Sequence, residues 1–454
     1  MVKLVQLLRQ LNPVKILVVG DIVLDKYTYG KTQRISPEAP VLVVNVNRED
    51  YLPGGAGNTA LNLISLGADV TLLGRVGDDA SGSKLLELLN REGISTSFIT
   101  IQKEFATSVK NRVLAGNQQI VRVDYEEVSS LPAEIEKALI ESIPLLCEQV
   151  DAVAISDYGK GFLSEGFLQA LILHCRARQV PVVTDPKGTL FTKYRGSSLL
   201  KPNLSEAYAA SGLPSSTSLD KVAAELLKIA QADLLMITRA EAGLSLFDAA
   251  GGREDFPAEE KPVKDVTGAG DTVLAMLTFA SANRIDYQQA AILCNIAAGI
   301  AIERVGCARV SLSDLVLRLI KRNGAYKLFD REHLFVLERV LGEKPFYLLA
   351  LRGQTALHFT LFEEMRRLGN GGAPLLIYLL EKEVSSSFVK ILTSLKEVYF
   401  VVVSGCGDAL AAPPKLEPAE AYLFDSGKLE RISGENLWQN LSIGSFTLKL
   451  NSGS

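Results

Sequence analysis

Short apolar runs, closed by glycine or by polar residues, alternate with longer amphipathic stretches along most of the chain. Residues 14–20 (VKILVVG) form a β-branched run ending in glycine and read as a buried strand. Residues 41–46 (VLVVNV) read as a second strand with polar neighbours at 47–50. Residues 85–90, between Gly82 and Gly93, read as a helix. Residues 111–114 and 119–123 flank Ala-Gly-Asn, a hairpin signal. From Ala133 onward strand and helix patterns alternate. Strands are expected at 152–156, 181–184, 199–201 and 234–238, and helices at 165–178, 218–231, 272–283 and 287–304. Such alternation predicts a parallel sheet with helices on both faces. The hairpin-rich early segments break this rhythm and suit a small antiparallel β lid over the sheet's carboxyl edge.

Residues 315–329 carry a charged helical pattern and read as the end of the first unit. A second, smaller Rossmann-like α/β pattern follows, with strands at 346–351, 374–380 and 398–403 and a helix at 357–368. The expected division is a first domain at 1–318, a linker at 319–343 and a second domain at 344–454. The whole chain has 454 residues, 47% of them hydrophobic, which suffices for real cores and excludes a disordered chain. A net charge of −4 supplies no reason to expect nucleic acid or an anionic membrane as partner. Five scattered cysteines without a CxxC read as reduced thiols of a cytoplasmic protein. His174 beside Cys175 has no second pair of soft ligands, so zinc is not expected. The first fifteen residues mix charges into their apolar stretch, unlike a signal peptide, and the apolar run at 291–302 is too short to span a bilayer.

The richest chemistry lies at Lys264-Asp265-Val266-Thr267-Gly268-Ala269-Gly270-Asp271-Thr272, which leads into an apolar helix. Gly268 and Gly270 let peptide N–H groups face a ligand without a Cβ in the way, and the helix adds its positive end. That combination makes an anion hole suited to a phosphoryl group in transfer. Asp271 at its mouth is a candidate base for an attacking hydroxyl. The helix dipole is expected to keep it ionised and therefore weakly basic. An ordinary N-cap aspartate is the competing reading.

Three further stretches point the same way. Asp21 and Asp25 leave the first strand together and suit hydrogen bonds to sugar hydroxyls, or a solvated turn. Pro53-Gly54-Gly55-Ala56-Gly57-Asn58 precedes an apolar helix, with glycines for close approach and an amide that both donates and accepts. Lys201-Pro202-Asn203-Leu204-Ser205-Glu206 ends a strand, where a nucleotide's phosphates and Mg²⁺ fit. Two look-alikes are set aside. Residues 55–60 fit the dinucleotide fingerprint but follow Pro53 rather than a buried strand, and residues 77–84 imitate a P-loop with Ser83 in place of its lysine.

Together these motifs resemble the ribokinase-like carbohydrate kinase family: the glycine-rich stretch at 53–58 and the DxTGAGD stretch at 265–271 are its two signatures. The match sharpens at Gly20-Asp21, Leu24-Asp25, Tyr27, Gly30, residues 34–41 (RISPEAPV), Arg112, residues 117–119, residues 122–124, residues 185–188 (DPKG) and residues 201–203. These are similar to the kinase half of the bacterial bifunctional heptose 7-phosphate kinase/heptose 1-phosphate adenylyltransferase family. That family phosphorylates D-glycero-β-D-manno-heptose 7-phosphate at C1 and makes the ADP-heptose precursor of lipopolysaccharide. The resemblance implies Asp271 as catalytic base, with Gly268, Ala269 and Gly270 as the anion hole. It implies Asp25, Gly54, Gly55 and Asn58 against the sugar. Asn203, Leu204, Ser205, Glu206, Thr238, Gly243 and Asn295 fall on the ATP side, with Glu206 reaching Mg²⁺ through water. Asp265, Arg304 and Gly306 mark where some relatives hold potassium. Arg112 is a candidate for the 7-phosphate, since arginine grips phosphate bidentately, or else a surface arginine. Expected partners are ATP and heptose 7-phosphate, with a homodimer through the lid left open.

The carboxyl-terminal part resembles a nucleotidyltransferase domain that has departed from its pattern. The family's HxGH motif aligns with Thr355-Ala356-Leu357-His358, so one histidine remains, the other is threonine and the glycine is leucine. Leucine there puts a side chain where phosphate approaches the backbone. The expectation is a retained fold without adenylyl transfer.

Overall fold

The computed structural model describes residues 11–116, 118–259, 262–304, 306–322, 327–330, 337–338, 341, 344–354, 356–381, 384–403, 416–432 and 437. Asn117, Thr355 and Cys406, named above, lie outside them. The chain divides into two compact units, Asn12–Ser311 and one formed from Leu312 onward.

The first unit is built on a nine-stranded sheet. Seven strands run parallel, in spatial order Leu234–Thr238, Leu199–Leu200, Val182–Asp185, Ala152–Ser156, Lys15–Gly20, Asp69–Gly77 and Ile99–Gln102. Leu244–Asp248 and Arg253–Phe256 extend one end antiparallel, so the sheet is mixed rather than wholly parallel. Their connections are too short for a crossover, and a chain reversed that quickly pairs antiparallel. Strand residues Leu17, Val19, Val153 and Ile155 share one core with helix residues Leu171, Ile172 and Leu226. Their alternate neighbours face the other side. There the helices Ala56–Ser65, Ala269–Ala282 and Tyr287–Ile302 pack.

A four-stranded lid has the spatial order Leu42–Gly55, Ile22–Ile35, Val109–Ala115 and Gln118–Tyr125. The hairpin is where the sequence reading has it, but the fourteen-residue strand Ile22–Ile35 is not anticipated there. Its first half is buried on both faces and its second half is exposed, so it has no single alternation to read. The outer lid leaves Ile35, Leu42, Val46 and Tyr125 exposed.

In the second unit a six-stranded sheet runs Leu328–Asp330, Val398–Val403, Leu375–Leu379, Tyr347–Arg352, Glu420–Asp425 and Lys428–Ile432, with the last pair antiparallel. The helices Phe359–Gly369 and Ser386–Ser394 cover it through Leu361, Met365, Phe388 and Leu392. The expected 315–329 helix is instead Leu312–Arg322, and Phe329 lies in a strand of this sheet. Among the described residues, no helix is long and apolar enough to cross a membrane.

Candidate active site

The carboxyl ends of the central parallel strands meet the starts of two helices, the usual crevice for a ligand in such a fold. Gly268, with φ 78°, caps the Ala269–Ala282 helix without any side-chain hydrogen bond. Asp271 stands in the first turn and is not the N-cap, which settles the competing reading. It is 2% exposed. Its Oδ1 accepts from the Tyr158 hydroxyl at 2.7 Å, and its Oδ2 accepts from Asn58 Nδ2 at 2.8 Å. Burial pushes its carboxyl up to about 7, against the hydrogen bonds from Asn58 and Tyr158. Nearby Asp185 adds to the rise and Lys201 opposes it. This corrects the expectation of a dipole-held weak base: desolvation outweighs the helix end. A carboxylate poised near neutrality is the better base.

The hole beside Asp271 has polar walls. A Cβ on Gly268 would lie 2.7 Å from Asn58 Nδ2, and one on Gly270 would lie 3.9 Å from both Asp185 Oδ2 and Lys201 Nζ. Asp185 ends its strand and pairs with Lys201 at 2.9 Å. Burial pushes its carboxyl up to about 6, with Lys201 opposing.

On the lid side, Asp25 Oδ1 accepts from Arg112 Nη1 at 2.5 Å and Oδ2 from Cys307 Sγ at 3.3 Å. Arg112 sits in a lid strand with its side chain 11% exposed, so it is no surface arginine. Gly54 is required here, because a Cβ would lie 2.3 Å from Asp25 Oδ2. Gly55, at φ 59°, makes the turn into the Ala56–Ser65 helix. The strand that precedes the fingerprint at 55–60 is exposed or half-exposed along most of its length, not the buried strand a dinucleotide site needs. That strand is an antiparallel lid strand, not the core strand of a βαβ unit. Asn58, expected against the sugar, donates to Asp271. Asp21 does not share a site with Asp25: its Oδ2 accepts the peptide N–H groups of Tyr158 and Lys160 at 2.9 and 3.0 Å, a structural role.

Farther along the sheet, Asn203 caps the Leu204–Ser211 helix in a reciprocal capping box with Glu206. Lys187 Nζ donates to Glu206 Oε1 at 2.8 Å. Leu204 and Ser205 form the exposed first turn. Thr238 bridges to Asn203. Gly243 packs against the Phe256 carbonyl, which also accepts from Asn295 Nδ2 at 2.8 Å. Asp265 accepts peptide N–H groups from Thr267 and Gly306 at 2.9 Å each. Burial works against its charge, but these hydrogen bonds win and hold its carboxyl low. Arg304 turns to the Arg309 carbonyl at 2.6 Å. Among the described residues, no three His, Cys, Asp or Glu side chains cluster to hold a metal.

The sequence reading gives Tyr158 and Cys307 no place in this site, and it names Asp185 and Lys201 only within matched stretches, with no role for either side chain. Asp185 and Lys201 each stand at or just past the end of a core strand, and that position was the available signal.

In the second unit, His358 caps the Phe359–Gly369 helix: Nδ1 accepts from Leu361 N at 3.5 Å, and Nε2 meets Gln354 Oε1 at 2.8 Å. The ring lies 5.6 Å from that of Phe424, and Leu357 packs against the core.

Residues 14–314 match the pfkB family of carbohydrate kinases. Among curated proteins, the bifunctional protein HldE of Trichlorobacter lovleyi is 41% identical over 345 residues, 74% of this chain and 70% of that protein. HldE of Geobacter sulfurreducens is 43% identical over 302 residues, and the match spans 66% of this chain and 62% of that protein's length. Among solved structures, Arabidopsis thaliana ribokinase complexed with ribose and ATP aligns with a TM-score of 0.53 at 17% identity, covering 68% of this chain and 99% of that one. Phosphofructokinase-2 from Escherichia coli in complex with potassium aligns with a TM-score of 0.55 at 20% identity, covering 66% and 97%. These last two likenesses establish the fold, ribokinase-like.

Proposed function

The chain belongs to the pfkB family of carbohydrate kinases, and from that premise we propose that it phosphorylates D-glycero-β-D-manno-heptose 7-phosphate at C1 with ATP. One observation carries the reading. A buried carboxylate, Asp271, stands at a helix start capped by bare glycine, beside Asn58, with Cys307 near both it and Asp25.

Asp271 takes the C1 hydroxyl proton as that oxygen attacks the γ-phosphorus. Asn58 and Tyr158 hold the base by one oxygen each, which leaves lone pairs for the sugar hydroxyl. Peptide nitrogens at 268–270 receive the negative oxygens of the phosphoryl group. Asp25 orients the sugar. Arg112 spends one nitrogen on Asp25 and has further donors for the 7-phosphate. On the other side, Asn203 to Glu206, Thr238, Gly243 and Asn295 line the ATP.

Magnesium fits this donor set only in company. Glu206 is one carboxylate without a cage, which suits an ion carried by phosphates and water. Such an ion neutralises charge on the phosphates when bound. Asp265, held ionised beside Gly306, fits the potassium position. The exposed apolar residues of the lid support a homodimer through it.

For the second unit we propose a retained fold without adenylyl transfer. The helix start that would receive a triphosphate is capped by the His358 ring. The deciding experiment is a screen of purified protein with ATP and sugar phosphates. ADP release should be fastest with heptose 7-phosphate, and a stronger response to another sugar would move the substrate assignment.

A further inference from the structure

The steps above leave unused a largely buried ion pair beside the anion hole. Lys201 follows the two-residue strand Leu199–Leu200, and Asp185 ends the neighbouring strand Val182–Asp185. The ammonium lies 2.9 Å from Asp185 Oδ2, with the lysine side chain 4% and the aspartate side chain 18% exposed. Both groups stand 3.9 Å from where a Cβ on Gly270 would be, against the turn that forms the anion hole. Taking two charges out of water is costly, and a buried pair gains little over apolar residues of the same volume. Stability alone is therefore a poor reason for this pair. Its place beside a site of passing negative charge is a better one. An ammonium carries three donors on a flexible stem, and Asp185 occupies one of them.

We propose that Lys201 is a catalytic residue: its ammonium extends from Asp185 to the phosphoryl group in transfer and adds a positive charge to the peptide nitrogens of the hole. Asp185 is the positioning residue that holds it. The inference rests on the phosphoryl-transfer reading above. In the step, the bond between the sugar oxygen and the γ-phosphorus forms. The bond from γ-phosphorus to the bridging oxygen breaks, and its electron pair leaves with ADP. The hydroxyl proton goes to Asp271. Lys201 keeps all its protons and supplies charge and hydrogen bonds only.

The test uses the full chain with MgATP and the best sugar phosphate from the screen. Lys201→Met should lower kcat by about 10²-fold or more, the size of a lost oxyanion donor. Its KM for ATP should stay within about three-fold, because the contact is made in the transition state. Binding of MgADP with aluminium fluoride and sugar, a mimic of the transferring group, should weaken far more than binding of ATP. The double variant Lys201→Met with Asp185→Asn removes both charges and leaves no unpaired buried carboxylate. If Lys201 only neutralises Asp185, the double variant regains wild-type turnover, and the inference is overturned. The expected result is a double variant as slow as Lys201→Met. It also stands in for the single variant should that one fail to fold. Wild-type kcat in either variant rejects the role of Lys201 while leaving the kinase reading intact. No ADP release by the wild type with any sugar phosphate removes the kinase reading, and this inference with it.

Discussion

Both units set a helix start near the carboxyl edge of a parallel sheet, and they finish it in opposite ways. In the first unit Gly268 caps the Ala269–Ala282 helix with no side-chain hydrogen bond, and the contact there is a long one from Ala269 N to the Val266 carbonyl at 3.3 Å. In the second, His358 folds over the Phe359–Gly369 helix and accepts from Leu361 N. One helix end is left for a ligand, and the other is satisfied by its own chain. Capping and anion binding draw on the same peptide N–H groups, so a helix start serves one or the other. The difference locates the chemistry in the first unit.

The strongest way to break that comparison is to neutralise the base. Asp271→Asn should lower kcat by about 10²- to 10⁴-fold, the usual worth of general-base help. ATP affinity, measured by calorimetry, should persist. Unchanged turnover would mean that the bare helix end is not the reacting site. Gly268→Ala is next. It puts a Cβ at a positive φ and 2.7 Å from the Asn58 amide, so it disturbs both the hole and the base's partner. A fall in kcat of about 10²-fold is expected from loss of hole geometry.

Smaller effects sharpen the picture of the first unit. Gly54→Ala drives a methyl against Asp25 and should raise the sugar KM by about ten-fold, with the KM for ATP little changed, as for loss of binding shared by ground and transition states. The pH profile tests the correction to Asp271. Its carboxyl is pushed up to about 7 by burial, and the base works only when ionised. The rate should therefore fall as pH drops through 7. The groups facing it are Asn58, Tyr158, Asp185, Lys201 and Cys307. Tyr158→Phe removes a hydrogen bond that favours the charged form, so the acid limb should move to higher pH. A limb near 4 in the wild type would restore the weak-base expectation.

How much of this was legible in the sequence follows from how local each feature is. Central strands such as Ala152–Ser156 are legible because strands buried on both faces are unbroken apolar runs, whereas Asp69–Gly77, whose run is interrupted by Gly74 and Arg75, is not anticipated. Arg253–Phe256 (REDF) has no such run and was passed over. The anion hole, Asp271 and Asp25 lie inside contiguous motifs, so spacing alone marked them. Tyr158 is 113 positions from Asp271, and only folding joins the two. The same holds for Cys307 and Asp25, 282 positions apart. The dipole expectation failed for a related reason: the helix start is visible in the sequence, but the burial that outweighs it is a tertiary fact.

The smallest effect is expected where the comparison assigns no chemistry. His358→Ala removes a cap, which costs about 0.5–2 kcal/mol of local stability. It should lower the unfolding temperature of the second unit without changing kcat for ADP release. Wild-type protein given heptose 1-phosphate and ATP should release no pyrophosphate. The variant tests the same point from the other side. Removing the ring frees the helix's first peptide nitrogens, yet leucine rather than glycine still stands at 357. Activity should therefore not appear. Rapid pyrophosphate release by the wild type, abolished in His358→Ala, would make the histidine a phosphate ligand instead of a cap. The second helix start would then be a working site like the first.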